Sequence, residues 1–588
     1  MADGHATMRP YLSPTLVLLA LDWPDGRLRP NFLGFAIRRA PGFSKGEKQG
    51  YLFNKIGFIP LGPDSHPMPS NVAPIQKFLW WDSAINTEDR GKNFAYTVVP
   101  VLGTGPNDLQ LQEPSAQTVT VTIPRIVTDG IGTYFNRAVV SSQAFSREFP
   151  AGTMDIDKAM AWLANGLEGA IPGFLKGADA IEGAVYHLTD NEWVLPALKK
   201  MSAKGSLVYA FKPPGETVNA TAVTALKKTG IHFDPRSKTA IMHDKFLVKR
   251  AGGQPVGVLT GSANFTPEGL TSQANLLHTF ASPRLAALYA TRRELIAPDP
   301  AVAATAKDTG WSAPVKIGKA SVRVFFSPEP SAKRVSLDTV VAAVKAAKQS
   351  AVFCMFSPTD KPLLDALIAV GDKKKVLFGM LNSITDPSKK KKKPGPEAAS
   401  GEPPKEPSAA AQVQVTIFNR SRKDKKVLAY SYFNPGNTPA GFLPELSSVD
   451  FSSRSIVPPP KPAPGKKKAF VPAVHIHHKF LVLDAETKNP VIYTGSANFS
   501  KNSTNRNDEN LLEIKGDRGM AQTYLAEFMR LYEHYRARAL YNIAHPKGKP
   551  APGKKGEAFV LKRTRDAWVK GAYTPGTKEF LARVNFAS

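Results

Sequence analysis

Two segments of the 588-residue chain carry the same reactive side chains at the same spacing. Residues 243–266 read HDKFLVKRAGGQPVGVLTGSANFT and residues 477–500 read HHKFLVLDAETKNPVIYTGSANFS; set one beneath the other without a gap, 12 of the 24 positions are identical. In each copy the lysine follows the histidine by two residues and the glycine of GSAN follows it by 18. Strand propensity asks only for the apolar Phe-Leu-Val, so a match that also fixes His, Lys, Ser and Asn points to chemistry. Read as a strand, HxKFLV places His and Lys on one face and Phe246 and Val248, or Phe480 and Val482, on the other. A second strand, VGVLT or PVIYT, then delivers GSAN at its end, where glycine permits a tight turn. Two such units facing one another suit a tetrahedral phosphate. Lys245, Lys479, Asn264 and Asn498 would hold non-bridging oxygens, while one of His243 and His477 attacks and the other protonates the leaving oxygen.

These residues resemble the phospholipase D superfamily, whose hallmark is a doubled HxKxxxxD motif followed by GSxN. The second copy matches in full through His477, Lys479, Asp484, Gly495, Ser496 and Asn498. The first keeps His243, Lys245, Gly261, Ser262 and Asn264 but has Arg250 where the aspartate is expected, a residue whose family role is structural. The resemblance spans about residues 130–545. It implies two pseudo-twofold α/β/α lobes around one active site, a phosphohistidine intermediate, and no metal or other cofactor. Ser262, Ser496, Asn275 and Asn510 are expected to bind substrate, and Asp484 to be structural.

The two histidines differ in their surroundings. Aligning NDENLLEI with SQANLLHT on Asn-Leu-Leu sets Glu509 and Asn510 against Ala274 and Asn275. Superfamily members often place a carboxylate about thirty residues after the motif histidine, where it fixes the tautomer and raises basicity. Glu509 stands at that distance from His477. The expectation is therefore His477 as nucleophile, oriented by Glu509, and His243 as general acid; the alternative is that a loop residue such as Glu268 replaces the missing carboxylate and makes the two histidines equivalent.

The elements that must position these residues follow from patterning. Residues 1–126 contain short β-rich runs such as TLVLLAL, FLGFAI and TVTVTI separated by Pro, Gly, Asp and Asn, which reads as an all-β immunoglobulin- or fibronectin-like sandwich. Tyr96 is placed as a tyrosine corner would be, and Trp80 and Trp81 as core. From 127 the pattern becomes βαβ, and it restarts near 313, predicting lobes over 127–312 and 313–545. Lys/Pro-rich insertions at about 386–411 and 457–470 interrupt the second lobe, and 546–588 reads as a basic tail. Met355 and Phe356 read as strand core.

Composition bounds the function. Lys+Arg of 77 against Asp+Glu of 49 give a net charge of +28, while a hydrophobic fraction of 42% excludes a disordered polyelectrolyte. One cysteine, Cys354, excludes a disulfide framework and a Cys-based zinc site. The run Thr15–Leu21 is a poor signal peptide and no segment reaches the length of a membrane span, so the expected location is cytoplasmic. The HIHH run, with His475, His477 and His478, admits a zinc reading, but no nearby Cys completes a set. Three classes remain: a nuclease on DNA or RNA, favoured by charge; a lipid hydrolase or phosphatidyl transferase acting on anionic phospholipid; and a binding module, suggested by Arg250 and Ala274. With both motifs in one chain, an oligomer is not needed to complete the site.

Overall fold

The computed structural model describes residues 4–382, 476–544 and 559–588, apart from 63–64, 140–141, 151–152, 202–203, 213–214, 308–309 and 332; of 383–475 it describes Phe442 and the strands at 416–419, 428–429, 448–450 and 455–457. The lysine runs at 389–393 and 466–468, His475 and residues 546–558 lie outside the described residues.

The chain begins with two packed antiparallel sheets. One holds Thr7–Ser13, Leu16–Asp22 and Leu79–Asp82; the other runs Gln117–Thr122, Asn93–Leu102, Phe32–Ala40, Gly50–Tyr51. Gln117–Thr122 alternates, with Val119 and Val121 turned inward and its threonines outward. Leu16–Asp22 does not alternate, because both of its faces are covered. Val17, Leu19 and Leu21 join the sandwich core, while Leu16, Leu18 and Ala20 pack on the cluster that includes Tyr524, Phe528 and Tyr532 of helix Arg518–Ala544. Tyr96 is not a tyrosine corner: its hydroxyl donates to the Asp82 carboxylate at 2.9 Å, which also pairs with buried Arg39 at 2.8 Å.

The segment expected as a basic tail is folded where it is described. Helices Asp566–Tyr573 and Lys578–Ala587 close over the sandwich. Trp568 stacks on Phe78 at 5.5 Å and its indole donates to the Phe32 carbonyl at 3.0 Å, while Tyr573 donates to the Trp23 carbonyl at 2.6 Å. The two ends of the chain thus build one unit.

Each lobe is a mixed sheet. The first runs Val127–Thr128, Ile131–Phe135, Leu276–Phe280, Gln254–Gly261, Lys245–Ala251, Ala180–Val185, Lys204–Ala210, Ile231–Arg236. The second repeats this order with Ala320–Ser327, Glu509–Lys515, Val491–Gly495, Lys479–Leu483, Ser350–Met355 and Val376–Leu381, flanked by further strands. In both, the two parallel strands of the βαβ unit lie beside the motif strand. The lobes meet through reciprocal single bridges, Met242 to Asp508 and Ala274 to Ile476. Adding 234 to either first-lobe number gives the second-lobe residue of the other bridge, the signature of a pseudo-twofold contact.

Candidate active site

In each lobe the motif strand turns back as a hairpin and ends in GSAN. Gly495 has φ 145°, and a Cβ there would stand 2.4 Å from the Asn510 carbonyl oxygen; at Gly261 it would stand 2.3 Å from that of Leu276. These close approaches bring GSAN against the following strand, and only glycine permits them. The histidines are not within the strands, which begin at Lys245 and Lys479. Each lies two residues earlier, on the segment that crosses to the other lobe: His243 N donates to the Asp508 carbonyl at 2.9 Å and His477 N to that of Ala274 at 3.0 Å.

That crossing overturns the expected pairing of Glu509 with His477. Glu509 Oε2 lies 3.0 Å from Nδ1 of His243, and Nδ1 of His477 lies 2.9 Å from Oδ1 of Asn275. Each imidazole takes its partner from the opposite lobe. The Asn-Leu-Leu alignment also slips by one residue. With the constant offset of 234 that the bridges define, Glu509 is the counterpart of Asn275, and Ala274 that of Asp508. Glu268 is not the substitute carboxylate, since an amide fills that place. The Asn275 orientation is set by its other bonds: Nδ2 donates to the Gly269 carbonyl at 2.8 Å and Oδ1 accepts from Ser262 at 2.9 Å. On the other side Asn507 donates to the second Glu509 oxygen at 2.9 Å.

Lys245 and Lys479 donate to the carbonyls of their own histidines, His243 at 2.7 Å and His477 at 2.8 Å. Their ammonium groups lie over the rings of Tyr186 at 4.9 Å and Phe356 at 5.1 Å. Burial pushes Lys245 down to about 7. Lys479 is held well below its ordinary value by burial, reinforced by the charge of Lys245. The same two effects, burial first and then both lysines, keep His243 neutral. Burial pushes Glu509 up to about 7. The amide oxygens of Asn264 and Asn498 are buried without a hydrogen-bond partner among the described residues. The arrangement is a buried cluster of paired imidazoles and lysine amines with one carboxylate on one side.

Four residues expected to bind substrate serve other ends. Ser262 Oγ accepts from Leu276 N at 3.1 Å, Ser496 Oγ accepts from Asn510 N at 3.0 Å, and both serines are fully buried. They pin GSAN to the next strand. Asn275 orients His477, and buried Asn510 donates to Asp244 at 2.8 Å while accepting from Thr260 at 3.2 Å. Asp484 accepts the backbone N–H groups of Lys348, Gln349 and Ser350 at 2.7–3.0 Å, tying down the turn between helix Val335–Ala346 and strand Ser350–Met355. Its first-lobe counterpart Arg250 instead bonds Glu182 and the Gly253 carbonyl at 2.7 Å.

The walls contain residues that the motif did not disclose. Tyr186 meets the His243 ring edge-on at 5.0 Å and Phe356 meets that of His477 at 5.1 Å, so Phe356 lines the site, unlike Met355, which is core. A second repeat carries the signal: AVYHLTD at 184–190 and CMFSPTD at 354–360 share the aromatic and the final Thr-Asp, whose aspartates cap the next helical turns. His187 stacks on Tyr186 at 3.8 Å and burial pushes it down to about 4. His478, part of the zinc reading, is buried against Phe135 and Phe480. Among the described residues no group of three His, Cys, Asp or Glu is placed to hold a metal ion, and no helix is long and apolar enough to cross a membrane.

Residues 463–532 match the family model described as cardiolipin synthase, PLD-like domain. The matched segment is similar to a phospholipase D-like domain and holds the second copy of the motif, His477 to Asn498. No curated protein matches the chain. Solved structures overlap it in part. Nuc of Salmonella typhimurium, a phospholipase D family member, is 21% identical over 22% of this chain and 86% of its own, with a TM-score of 0.20. The phosphatidylserine synthase of Haemophilus influenzae is 12% identical over 63% of this chain and 85% of its own, TM-score 0.38. Yeast tyrosyl-DNA phosphodiesterase is 10% identical over 58% and 83%, TM-score 0.28.

Proposed function

We propose that the protein is a phosphodiesterase that works through a phosphohistidine on His243. The observation that carries this reading is the asymmetric pairing of the two imidazoles. The Glu509 carboxylate accepts the Nδ1 proton of His243, leaving the Nε2 lone pair to attack phosphorus, and it stabilises the imidazolium that forms. The neutral Asn275 amide orients His477 without raising its basicity, so protonated His477 gives up its Nε2 proton readily to the departing oxygen. Water, deprotonated by His477, then attacks the phosphohistidine; the P–N bond breaks and neutral His243 is restored. Lys245, Lys479, Asn264 and Asn498 would neutralise and hold the non-bridging oxygens. A bound anion relieves the mutual repulsion of the two buried ammoniums. This reverses the roles expected from sequence. Rapid quench with a labelled diester should place the label on His243. His243→Asn should abolish it, with a loss on the order of 10³-fold or more, whereas His477→Asn should let the adduct form and persist when the leaving group is good. Label on His477 would overturn the assignment.

The net charge of +28 favours nucleic acid as substrate. The description of the matching family model supports a second reading, a phospholipid. Cleavage of single-stranded DNA, duplex DNA and RNA, compared with neutral vesicles and a soluble short-chain phospholipid, separates them. The nucleic-acid reading expects cleavage that weakens steeply with salt, and phospholipid turnover with intact nucleic acid would replace it.

A further inference from the structure

Three carboxylates crowd the His243 side of the site. Asp244, Asp508 and Glu509 are all fully buried. Two buried first-lobe arginines answer the first two. Arg236 Nε lies 2.8 Å from Asp508, Arg292 Nη2 lies 2.9 Å from the other Asp508 oxygen, and Arg292 Nε lies 3.9 Å from Asp244. Asn510 ties Asp244 at 2.8 Å. The backbone of Asp508 is also anchored to the first lobe, its N–H donating to Ile241 O and its carbonyl accepting from His243 N, both at 2.9 Å. Among the described residues no arginine or lysine lies within ion-pair distance of Glu509; its partner there is the His243 imidazole. The clamp exists on one side only. At the offset of 234, Asp508, Asn510 and Asp244 are answered by Ala274, Leu276 and His478 around the other imidazole.

We propose that Arg236 and Arg292 are positioning residues. By clamping Asp508 across the lobe interface they hold the adjacent Glu509 on Nδ1 of His243 and reserve its carboxylate for that ring. The proposal rests on His243 being the nucleophile. The buried charges of Asp508, next to Glu509 in the chain, and of Asp244, next to His243, would otherwise repel the Glu509 charge and favour its protonation, which removes the acceptor that His243 needs. The groups facing Glu509 are His243, Asn507, Ser503, Lys245 and Lys479, with Asp244 and Asp508 behind them.

The sign of each substitution follows. Arg292→Met removes a positive charge, so Glu509 protonates more easily and the acid limb of kcat/KM moves up, by about one pH unit, with kcat falling roughly tenfold and KM changing less. Arg292→Lys keeps the charge and should leave the limb in place. Asp508→Asn removes a negative charge and moves the limb down, and in the Arg292→Met background it restores the wild-type midpoint. The full chain is assayed with bis(4-nitrophenyl) phosphate across pH, beside NMR titration of ¹⁵N-histidine-labelled protein reading the His243 ring. Opposite shifts for the two single variants support the clamp. Identical midpoints in folded Arg292→Met and Asp508→Asn overturn it, and if Arg292→Met does not fold, Asp508→Asn and Arg292→Lys decide. Absence of wild-type turnover would count against the phosphodiesterase reading instead, leaving the His243 titration to decide the clamp.

Discussion

At the scale of single residues the site depends on burial. Glu509 must be ionised to accept from His243, and burial pushes it up to about 7. In the proposed mechanism Lys245 must be protonated to hold a phosphate oxygen, and burial pushes it down to about 7. Activity gained as the carboxylate ionises is therefore lost again as the ammonium deprotonates. A narrow bell of kcat/KM centred near neutrality is expected, its limbs belonging to the coupled group rather than to either residue. Glu509→Gln should erase the acid limb while lowering the plateau. A profile for this variant with the wild-type acid limb would remove Glu509 from the proton chain.

At the scale of elements, the hairpins that carry GSAN are set by glycines of two kinds. Gly252 has φ 58° and open space around it, so Gly252→Ala meets only the left-handed backbone penalty, on the order of 1 kcal/mol. Gly495 adds a direct clash, its would-be Cβ standing 2.4 Å from the Asn510 carbonyl oxygen. Gly495→Ala should therefore push strand Glu509–Lys515 away from Ser496 and carry Glu509 off His243. Urea titration should show the larger destabilisation for Gly495→Ala, and turnover should collapse there alone. Equal effects of the two substitutions on turnover would argue that strand spacing does not govern the Glu509 position.

At the scale of the molecule, the lobes are braced by a unit made from both chain ends. Helix Arg518–Ala544 meets the sandwich through Glu527, which bonds Ser13 at 2.7 Å, and Glu533, which pairs with Lys77 at 2.8 Å. Trp568 packs on the sandwich core against Phe32 and Phe78. Trp568→Ala empties that contact and should cost about 3 kcal/mol, the lower end for a large aromatic because the indole is only partly buried. The melting transition should fall while phosphodiester turnover at permissive temperature is retained. A lost active site at full stability would instead couple this contact to the lobe interface.

The sequence by itself determined the repeated unit, because identical short-range constraints were written twice: an apolar strand, a lysine beside it, a glycine where the next strand passes close. The β-rich start and the βαβ lobes were legible for the same reason, their periodicities being local. Which imidazole meets which partner was not. The histidines precede their strands and cross into the opposite lobe, so Glu509 reaches His243 over 266 residues of chain, and an alignment within one strand pair carries no trace of it. The same holds for the buried serines and Asn510, which pin strands together rather than facing substrate. It holds too for the C-terminal helices, whose basic composition conceals Trp568 and Tyr573 until the sandwich surface they cover is in place. Tertiary structure decided these matters because each depends on which buried groups share a dry interface, and pairing there is settled by proximity and desolvation rather than by any pattern along the chain.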